Sequence, residues 1–214
     1  MSTDSQRGRA SEAGGGGMDS TRQRILDAAE ELFATHTFAA TSLREVAAKV
    51  GIREPSLYAH YPGKDAIYGA VIDRALEPFM QELDSWNQSE LTLRELFDIP
   101  RKLLNLHAQH PYRAQILHRE FGNPREKISP KIMEWLELFA AKSALFMTHL
   151  PENHRIHIDR NKVIINIITL TNMMLGFFSS TGIQQTLLGD AYDRDALYSE
   201  HLRLMSKLFK SLLI

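Results

Sequence analysis

The distribution of apolar residues along this chain predicts helices throughout. Apolar side chains recur at spacings of three and four residues, and no segment sustains the alternation of a half-buried strand. The first helix is predicted from Ser20, because Ser20 and Gln23 have the spacing of a capping box. Its apolar stripe consists of Ile25, Ala28, Ala29, Leu32 and Phe33. The pattern as a whole predicts an all-α protein with about nine helices.

Longer apolar stripes predict the helices of the middle of the chain. The fourth helix should run from Lys64 to about Trp86, and Pro78 inside it should produce a kink. Proline and turn residues then separate the helices that follow. These are predicted over residues 91–109, 111–120 and 130–149.

Two segments near the carboxyl end carry more apolar surface than one chain can cover. Large apolar side chains occupy every face of residues 163–178, and the final helix, 193–213, has two adjacent apolar stripes. A helix that is apolar all round must be buried all round, and 163–178 is too short and too interrupted by polar residues to span a membrane. We therefore expect a homodimer; a monomer with a thick core is the alternative.

Between the first and fourth helices the sequence meets the requirements of a helix-turn-helix. Ser42 and Glu45 form a capping box that would start one helix, and Ala47 is small enough for two helices to cross there. Gly51 can adopt the positive φ that the turn requires, and Leu57 would be the buried residue of the second helix. This motif presents its second helix to the major groove of DNA.

The flanking residues resemble a known family. From Phe38 the chain reads Phe-x-x-Thr-Ser, then Val-Ala-x-x-x-Gly-Ile, then Leu-Tyr-x-His-Tyr-x-x-Lys. In order and spacing, residues 20–68 resemble the DNA-binding domain of the TetR family of bacterial transcription regulators. The chain departs from the family at Thr37, where glycine is usual, at Arg53, where serine is common, and at Tyr61, where phenylalanine is usual.

The resemblance implies a division of the chain into three parts. A flexible tail, 1–18, contains four consecutive glycines and precedes the helix-turn-helix DNA-binding domain, 19–66. A helical domain for ligand binding and dimerisation, 67–214, would follow. The resemblance implies a transcription regulator, usually a repressor. Two copies of it would bind a palindromic operator in double-stranded DNA. A small molecule would release it by displacing the fourth helix.

Candidate DNA contacts follow from the same motif. The net charge of the chain is −1, but residues 41–64 carry four basic and two acidic side chains, which suits a phosphate-binding face. The resemblance places phosphate contacts on Thr41, Ser42, Tyr58 and Lys64. The base-edge candidates at the start of the second helix are Arg53, Glu54 and Ser56, with His60 as a further candidate that is otherwise structural. Arginine suits guanine, and glutamate suits cytosine N4 or the positive end of the helix.

A ligand pocket among the middle helices would be apolar and aromatic, which predicts a hydrophobic or amphipathic small-molecule effector. His107, Thr169 and Asn172 are the candidates to orient it, although residues of an apolar stripe more often form plain core. The full candidate set is Leu103, Leu106, His107, Tyr112, Ile116, Phe121, Trp135, Phe139, Thr169, Asn172, Met173 and Phe177.

Composition removes other classes of protein. The chain has no cysteine and no signal-peptide pattern, so we expect a cytoplasmic protein without disulfides. His107, His110 and His118 lack the ligand spacing of a metal site, and we expect neither metal nor cofactor. Catalytic motifs are missing, so an enzyme is not expected. Two alternatives stay open: a DNA-binding regulator controlled by a partner protein or by no effector, and a helical enzyme or small-molecule binder without DNA binding.

Overall fold

The computed structural model describes residues 13–87, 92–149 and 160–213. These residues form ten α-helices and two short 3₁₀ turns, and no strand occurs among them, so the predicted all-α class is confirmed. The helices are α1 Ala13–His36, α2 Leu43–Val50, α3 Glu54–Leu57, α4 Lys64–Asn87, α5 Leu93–Ala108, α6 Pro111–Phe121, α7 Pro130–His149, α8 Arg160–Ser179, α9 Thr181–Leu188 and α10 Arg194–Leu213. The 3₁₀ turns are Arg125–Lys127 and Gly189–Ala191.

The chain forms two compact units, Met1–Val71 and Ile72–Ile214. The division falls inside α4, a few residues beyond the domain boundary that we expected after residue 66. Pro78 lies within α4, and the kink expected there stays a prediction.

The start of α1 differs from the prediction. The helix begins at Ala13, so Ser20 lies inside it, and the expected capping box of Ser20 and Gln23 does not mark the helix end. Once a helix has formed, each further residue adds one backbone hydrogen bond, which allows it to continue through residues of low helix propensity. Part of the expected tail is therefore helical, and its residues 1–12 lie outside the described residues.

The core of the amino-terminal unit is built from the predicted apolar stripe. Ile25, Ala29 and Phe33 of α1 are almost completely buried, and Leu32 is half-buried. The ring of Phe33 meets the ring of Tyr68 edge to face at 5.1 Å. The other buried residues of this core come from α2, α3 and α4: Val46, Ala47, Val50, Leu57, Ile67 and Val71.

The carboxy-terminal unit is organised by α5, α8 and α10. The Tyr198 hydroxyl donates to Asn105 Oδ1, and Arg194 donates to the Ala108 carbonyl at 3.4 Å. At the other end of the pair, Lys210 Nζ lies 5.1 Å from the centroid of Phe97. These contacts show that α10 runs antiparallel to α5.

One helix was not predicted from the sequence. α9 is only eight residues long, and none of its described residues is buried. Its apolar side chains, Ile183, Leu187 and Leu188, are all exposed, so no regular apolar stripe distinguishes it.

Candidate functional site

The predicted helix-turn-helix is present and its local geometry is as expected. Ser42 caps α2: the Glu45 amide donates to Ser42 Oγ at 3.2 Å, and the Ser42 amide donates to Glu45 Oε2 at 2.7 Å. The Ser42 hydroxyl and the Ser42 amide both donate to the Glu45 carboxylate, and these two hydrogen bonds lower the pKa of that carboxyl. Gly51 ends α2 with a φ of 77°, and its amide donates to the Ala47 and Ala48 carbonyls. The left-handed turn therefore depends on glycine.

The second helix of the motif begins at Glu54. Arg53 is its N-cap residue and makes no capping hydrogen bond through its side chain within the described chain, while Pro55 occupies the first turn. α3 is short, but helical hydrogen bonding continues beyond it, since the Tyr61 amide donates to the Leu57 carbonyl at 2.9 Å. Leu57 is buried, so this helix is anchored by its inner face.

The candidate base-reading residues lie on the outer side of this anchored helix. Arg53 and Ser56 are exposed, and Glu54 is half-buried. Tyr58 leaves 54% of its surface exposed. The structure thus presents an arginine, a serine and a tyrosine hydroxyl to solvent within one and a half turns.

Thr41, which we expected to contact phosphate, makes hydrogen bonds inside the protein. Its side chain is buried, and its hydroxyl donates to the Thr37 carbonyl at 2.8 Å. The Thr41 amide also donates to that carbonyl, at 3.3 Å. Thr37 adopts a φ of 77° and ends α1, which turns its carbonyl towards Thr41. Both Thr41 donors therefore have acceptors inside the protein, at the end of α1, and its phosphate contact stays a prediction.

Two other phosphate candidates are positioned by their neighbours. The Ser42 amide and hydroxyl both contact the Glu45 carboxylate, so a phosphate would have to displace that group. Lys64 Nζ lies 4.4 Å from the centroid of the Phe38 ring and donates to the Ala39 carbonyl at 3.5 Å. The cation–π contact holds the ammonium at the start of α4. His60 is half-buried, and its amide donates to the Leu57 carbonyl.

A small cavity occurs in the carboxy-terminal unit. Its volume is about 50 Å³, and it lies between α5, α8 and α10. Its walls consist of Ile99, Pro100, Leu103, Leu170, Thr171, Met174, Met205 and Phe209. Among the predicted ligand residues, Leu103 lines this cavity. The sequence reasoning missed the contribution of α10, because its apolar residues were assigned to the dimer.

The orientation of α8 differs from the prediction. Thr171 and Met174 face the cavity, whereas Thr169 and Asn172, expected to orient a ligand, are exposed. The Asn172 side chain donates to the Ile168 carbonyl of its own helix at 2.9 Å. One residue corresponds to a rotation of about 100° around a helix, so a small error in the assigned face moves every side chain.

The other predicted ligand residues are divided between two clusters and the surface. Trp135 stacks on Phe139 at 4.8 Å and lies 6.3 Å from Phe121. His107, Met173 and Phe177 belong to the packing of α5 and α8. Tyr112 is exposed, Ile116 is fully buried, and Leu106 is half-buried. The structure therefore does not bring the predicted set together around one pocket.

Comparisons with known proteins address the helix-turn-helix directly. A family model described as bacterial regulatory proteins, tetR family, matches residues 25–71. Over these residues, which are less than half of the chain, the protein is similar to the TetR family.

Relatives that match part of this chain are named as transcriptional regulators. The transcriptional repressor ComR of Escherichia coli K12 is 38% identical over 58 residues, which cover 27% of this chain and 28% of ComR. The negative regulator of the biofilm operon, IcaR of Staphylococcus epidermidis, is 24% identical over 123 residues, which cover 54% of this chain and 66% of IcaR. The chain thus aligns with about a quarter to two thirds of the length of these relatives.

A solved structure shows that the likeness in fold extends further than the sequence match. The regulator FadR of Bacillus subtilis, solved in complex with stearoyl-CoA, has a TM-score of 0.56 and 19% identity. The match covers 86% of this chain and 97% of FadR. The likeness in fold therefore extends over both units of this chain.

His107 is an unusual core residue of the carboxy-terminal unit. It is 2% exposed, and its ring lies 4.6 Å from the Phe79 ring and 6.1 Å from the Phe178 ring. Its Nε2 is buried and finds no hydrogen-bond partner among the described residues. Burial lowers the pKa of His107 to about 3, and the nearby positive charge of Arg113 contributes. The imidazole is therefore neutral at physiological pH.

The carboxy-terminal helices of the same unit expose several large apolar side chains. Ile165 and Ile168 of α8 are 56% and 47% exposed, and Leu204 of α10 is 43% exposed. Further along α8, Leu175 and Phe178 are buried, although Leu175 lies on the same side of the helix as Ile168. A single copy of the chain therefore leaves apolar side chains of the first half of α8 open to solvent.

No group of three histidine, aspartate or glutamate side chains able to hold a metal occurs in residues 13–87, 92–149 and 160–213. Within the same ranges, no helix has the length and apolar character needed to cross a bilayer.

Proposed function

We propose that this protein is a sequence-specific DNA-binding transcriptional regulator, which represses its target and is released by a small hydrophobic or amphipathic molecule. The observation that carries the proposal is the capped, glycine-turned motif of α2 and α3, which holds Arg53, Ser56 and Tyr58 on an exposed surface. The names of the relatives as repressors and regulators support it. Under this proposal the protein is a regulator and not an enzyme, and it acts in the cytoplasm.

The proposed reading surface divides into base and phosphate contacts. Arg53 is suited to guanine O6 and N7, and each such pair contributes about 1 to 3 kcal/mol of discrimination. Ser56 and Glu54 are the further base candidates at the same helix end. Tyr58 and Lys64 would bind phosphate, and Ser42 would join them if Glu45 moves away. His60 stays a candidate DNA contact that supports these residues.

A second copy of the chain is the proposed partner of the exposed apolar face. Ile165, Ile168 and Leu204 together offer the apolar surface on α8 and α10 that we expected a dimer to bury. Two recognition helices would then read a palindrome whose half-sites are about 34 to 36 Å apart, or a multiple of that distance. An effector acts if it binds a dimer with a different spacing more tightly; near-complete release requires a difference of about 5.5 kcal/mol.

A bound small molecule is supported by the FadR structure, which contains stearoyl-CoA. We propose the cavity between α5, α8 and α10 as the effector site within the described part of the chain. Control by a partner protein, or by no effector, is the alternative; it retains the DNA-binding unit and leaves the cavity as packing space.

The proposal is tested by selecting bound duplexes from a random DNA library with the full chain. The selected sequence and a random duplex of equal length are then titrated with wild type, Arg53→Ala and Arg203→Ala. Arg203 is an exposed arginine of α10 paired with Glu200 and serves as the matched control. Arg53→Ala should weaken the selected duplex about 5- to 150-fold and the random duplex much less.

Equal losses on both duplexes would make Arg53 a phosphate contact. If no sequence is enriched and binding does not depend on salt concentration, the proposed function is wrong. Repeating the titration with hydrophobic compounds distinguishes an effector-controlled regulator from one that acts without an effector.

A further inference from the structure

The start of α2 holds an anion that belongs to the chain itself. The Ser42 amide donates to Glu45 Oε2 at 2.7 Å, and the Ser42 hydroxyl donates to the same oxygen at 2.8 Å. The Glu45 amide in turn donates to Ser42 Oγ at 3.2 Å. Both donors of Ser42 are therefore directed at one carboxylate oxygen, in the free protein and without any ligand.

Basic side chains from two other helices act on the same carboxylate. The hydrogen bonds from Ser42 are the main cause that lowers the pKa of the Glu45 carboxyl, and charge interactions with His36 and Lys64 act in the same direction. His36 ends α1, and Lys64 begins α4. Three helices of the amino-terminal unit therefore each supply a group that attracts an anion at the position of Glu45.

A phosphate group of DNA requires the same donors. Ser42 and Glu45 are exposed, and Lys64 is half-buried, so a molecule that approaches this surface can reach them. Phosphate oxygens accept hydrogen bonds from hydroxyl groups, backbone amides and ammonium groups, and a carboxylate accepts them in the same way. Under the proposed function, Ser42 and Lys64 are phosphate contacts. The Glu45 carboxylate and a phosphate would therefore use the same two donors of Ser42.

We propose that Glu45 is an internal competitor of the DNA phosphate: its carboxylate occupies the donors of Ser42 in the free protein, and DNA must displace it. The inference rests on the proposed function, because it assigns to Glu45 a role in setting the affinity for DNA. A capping box works with either glutamate or glutamine. The negative charge is therefore not needed to start α2, whereas it repels a phosphate.

The experiment compares wild type with Glu45→Gln in titrations of a random duplex and of the duplex selected by wild type. Glutamine keeps the acceptor of the capping box and removes the charge. The affinity should rise about fivefold for each subunit bound, the factor that corresponds to the repulsion of two unit charges about 4 Å apart in water. Both duplexes should gain equally, since phosphate contacts carry no sequence information. The slope of log affinity against log salt should become steeper by about one for each subunit.

The chain contains a second capping box that serves as the matched control. At the start of α5, the Thr92 amide and hydroxyl donate to Glu95 Oε2 at 2.9 and 2.7 Å. Glu95→Gln makes the same chemical change in the carboxy-terminal unit and should bind both duplexes as wild type does. In a Ser42→Ala background, Glu45→Gln should give less than half of its gain, because the hydroxyl for which the two anions compete is absent.

A measurement on wild type keeps the proposal testable if a variant does not fold. The carbon-13 resonance of the Glu45 carboxyl is titrated with pH in the free protein and in the complex with DNA. Its pKa should be higher in the complex, because the displaced carboxylate has lost its hydrogen bonds from Ser42 and lies near a phosphate.

Three results would overturn the proposal: equal affinities of Glu45→Gln and Glu95→Gln, an undiminished gain in the Ser42→Ala background, or an unchanged pKa of Glu45 in the complex. The binding of wild type to the random and selected duplexes tests the proposed function separately. If wild type binds and selects DNA while Glu45→Gln gains nothing, the inference about Glu45 alone is wrong. If wild type binds no duplex, the proposed function and this inference are both wrong.

Discussion

The neutral state of His107 makes a large contribution to the pH dependence of stability. The ring is almost fully buried, and burial lowers its pKa from 6.5 to about 3. In the unfolded chain the same imidazole titrates near its ordinary value, so between the two pKa values the unfolded state binds more protons. Stability linked to His107 is therefore complete above about pH 6.5 and is lost as the pH falls towards 3.

The size of this effect follows from the two pKa values. Each unit of difference corresponds to about 1.36 kcal/mol, so acidification from pH 7.5 to pH 5 should remove about 2 kcal/mol of unfolding free energy through His107 alone. His107→Leu replaces the imidazole with an apolar side chain of similar size and should abolish this part. At pH 7.5 the variant should be at least as stable as wild type, because an unpaired buried nitrogen is removed.

The assay is urea unfolding at pH 7.5 and pH 5, at one protein concentration, followed by tryptophan fluorescence. Both tryptophans, Trp86 and Trp135, lie in the carboxy-terminal unit, so the signal reports on the unit that contains His107. Comparing wild type with His107→Leu cancels titration of the other groups. His36→Gln controls for the loss of an exposed imidazole and should differ from wild type by less than about 0.5 kcal/mol. Equal pH dependence in wild type and His107→Leu would refute the reasoning.

Two other predictions concern the end of α1 and the exposed apolar residues of α8. Thr37→Gly should raise the stability of the amino-terminal unit by about 0.5 to 1 kcal/mol, since Thr37 has a φ of 77° that glycine adopts without strain. Thermal unfolding should show this increase, whereas Thr35→Gly, inside α1, should lower stability by about 1 kcal/mol. Ile168→Asp should weaken dimerisation more than tenfold in sedimentation, because it places a charge in the apolar face of α8. Leu138→Asp, at a similarly exposed residue of α7, should not; a wild-type monomer would refute the dimer itself.

The DNA-binding motif could be predicted from the sequence because its determinants are local. The capping box joins residues three apart, and the turn depends on the backbone freedom of Gly51 alone. The hydrogen bond of Thr41 could not be predicted in this way. Its hydroxyl donates to the Thr37 carbonyl, and the direction of that carbonyl depends on the positive φ of Thr37. Glycine is the family's usual residue at position 37, and this pattern did not indicate the hydrogen bond.

The ligand region could not be predicted for a different reason. A helix with apolar residues on every face gives no signal about which face points inwards, so α8 was assigned an orientation one residue away from the observed one. The cavity is also shared with α10, which contacts α5 from almost one hundred residues further along the chain. Periodicity locates helices reliably, but it does not determine how three of them pack.

The double role of α10 gives a physical route between effector and dimer. Met205 lines the cavity, and its neighbour in sequence, Leu204, is exposed on the face proposed for the second copy. Consecutive residues of a helix are about 100° apart. A molecule in the cavity and the proposed second copy would therefore contact different sides of the same turn of α10. Under the proposed function, a ligand that displaces α10 would change the surface on which the second copy rests. The spacing of the two reading helices would change with that surface, so the proposal predicts that a ligand in this cavity alters DNA binding.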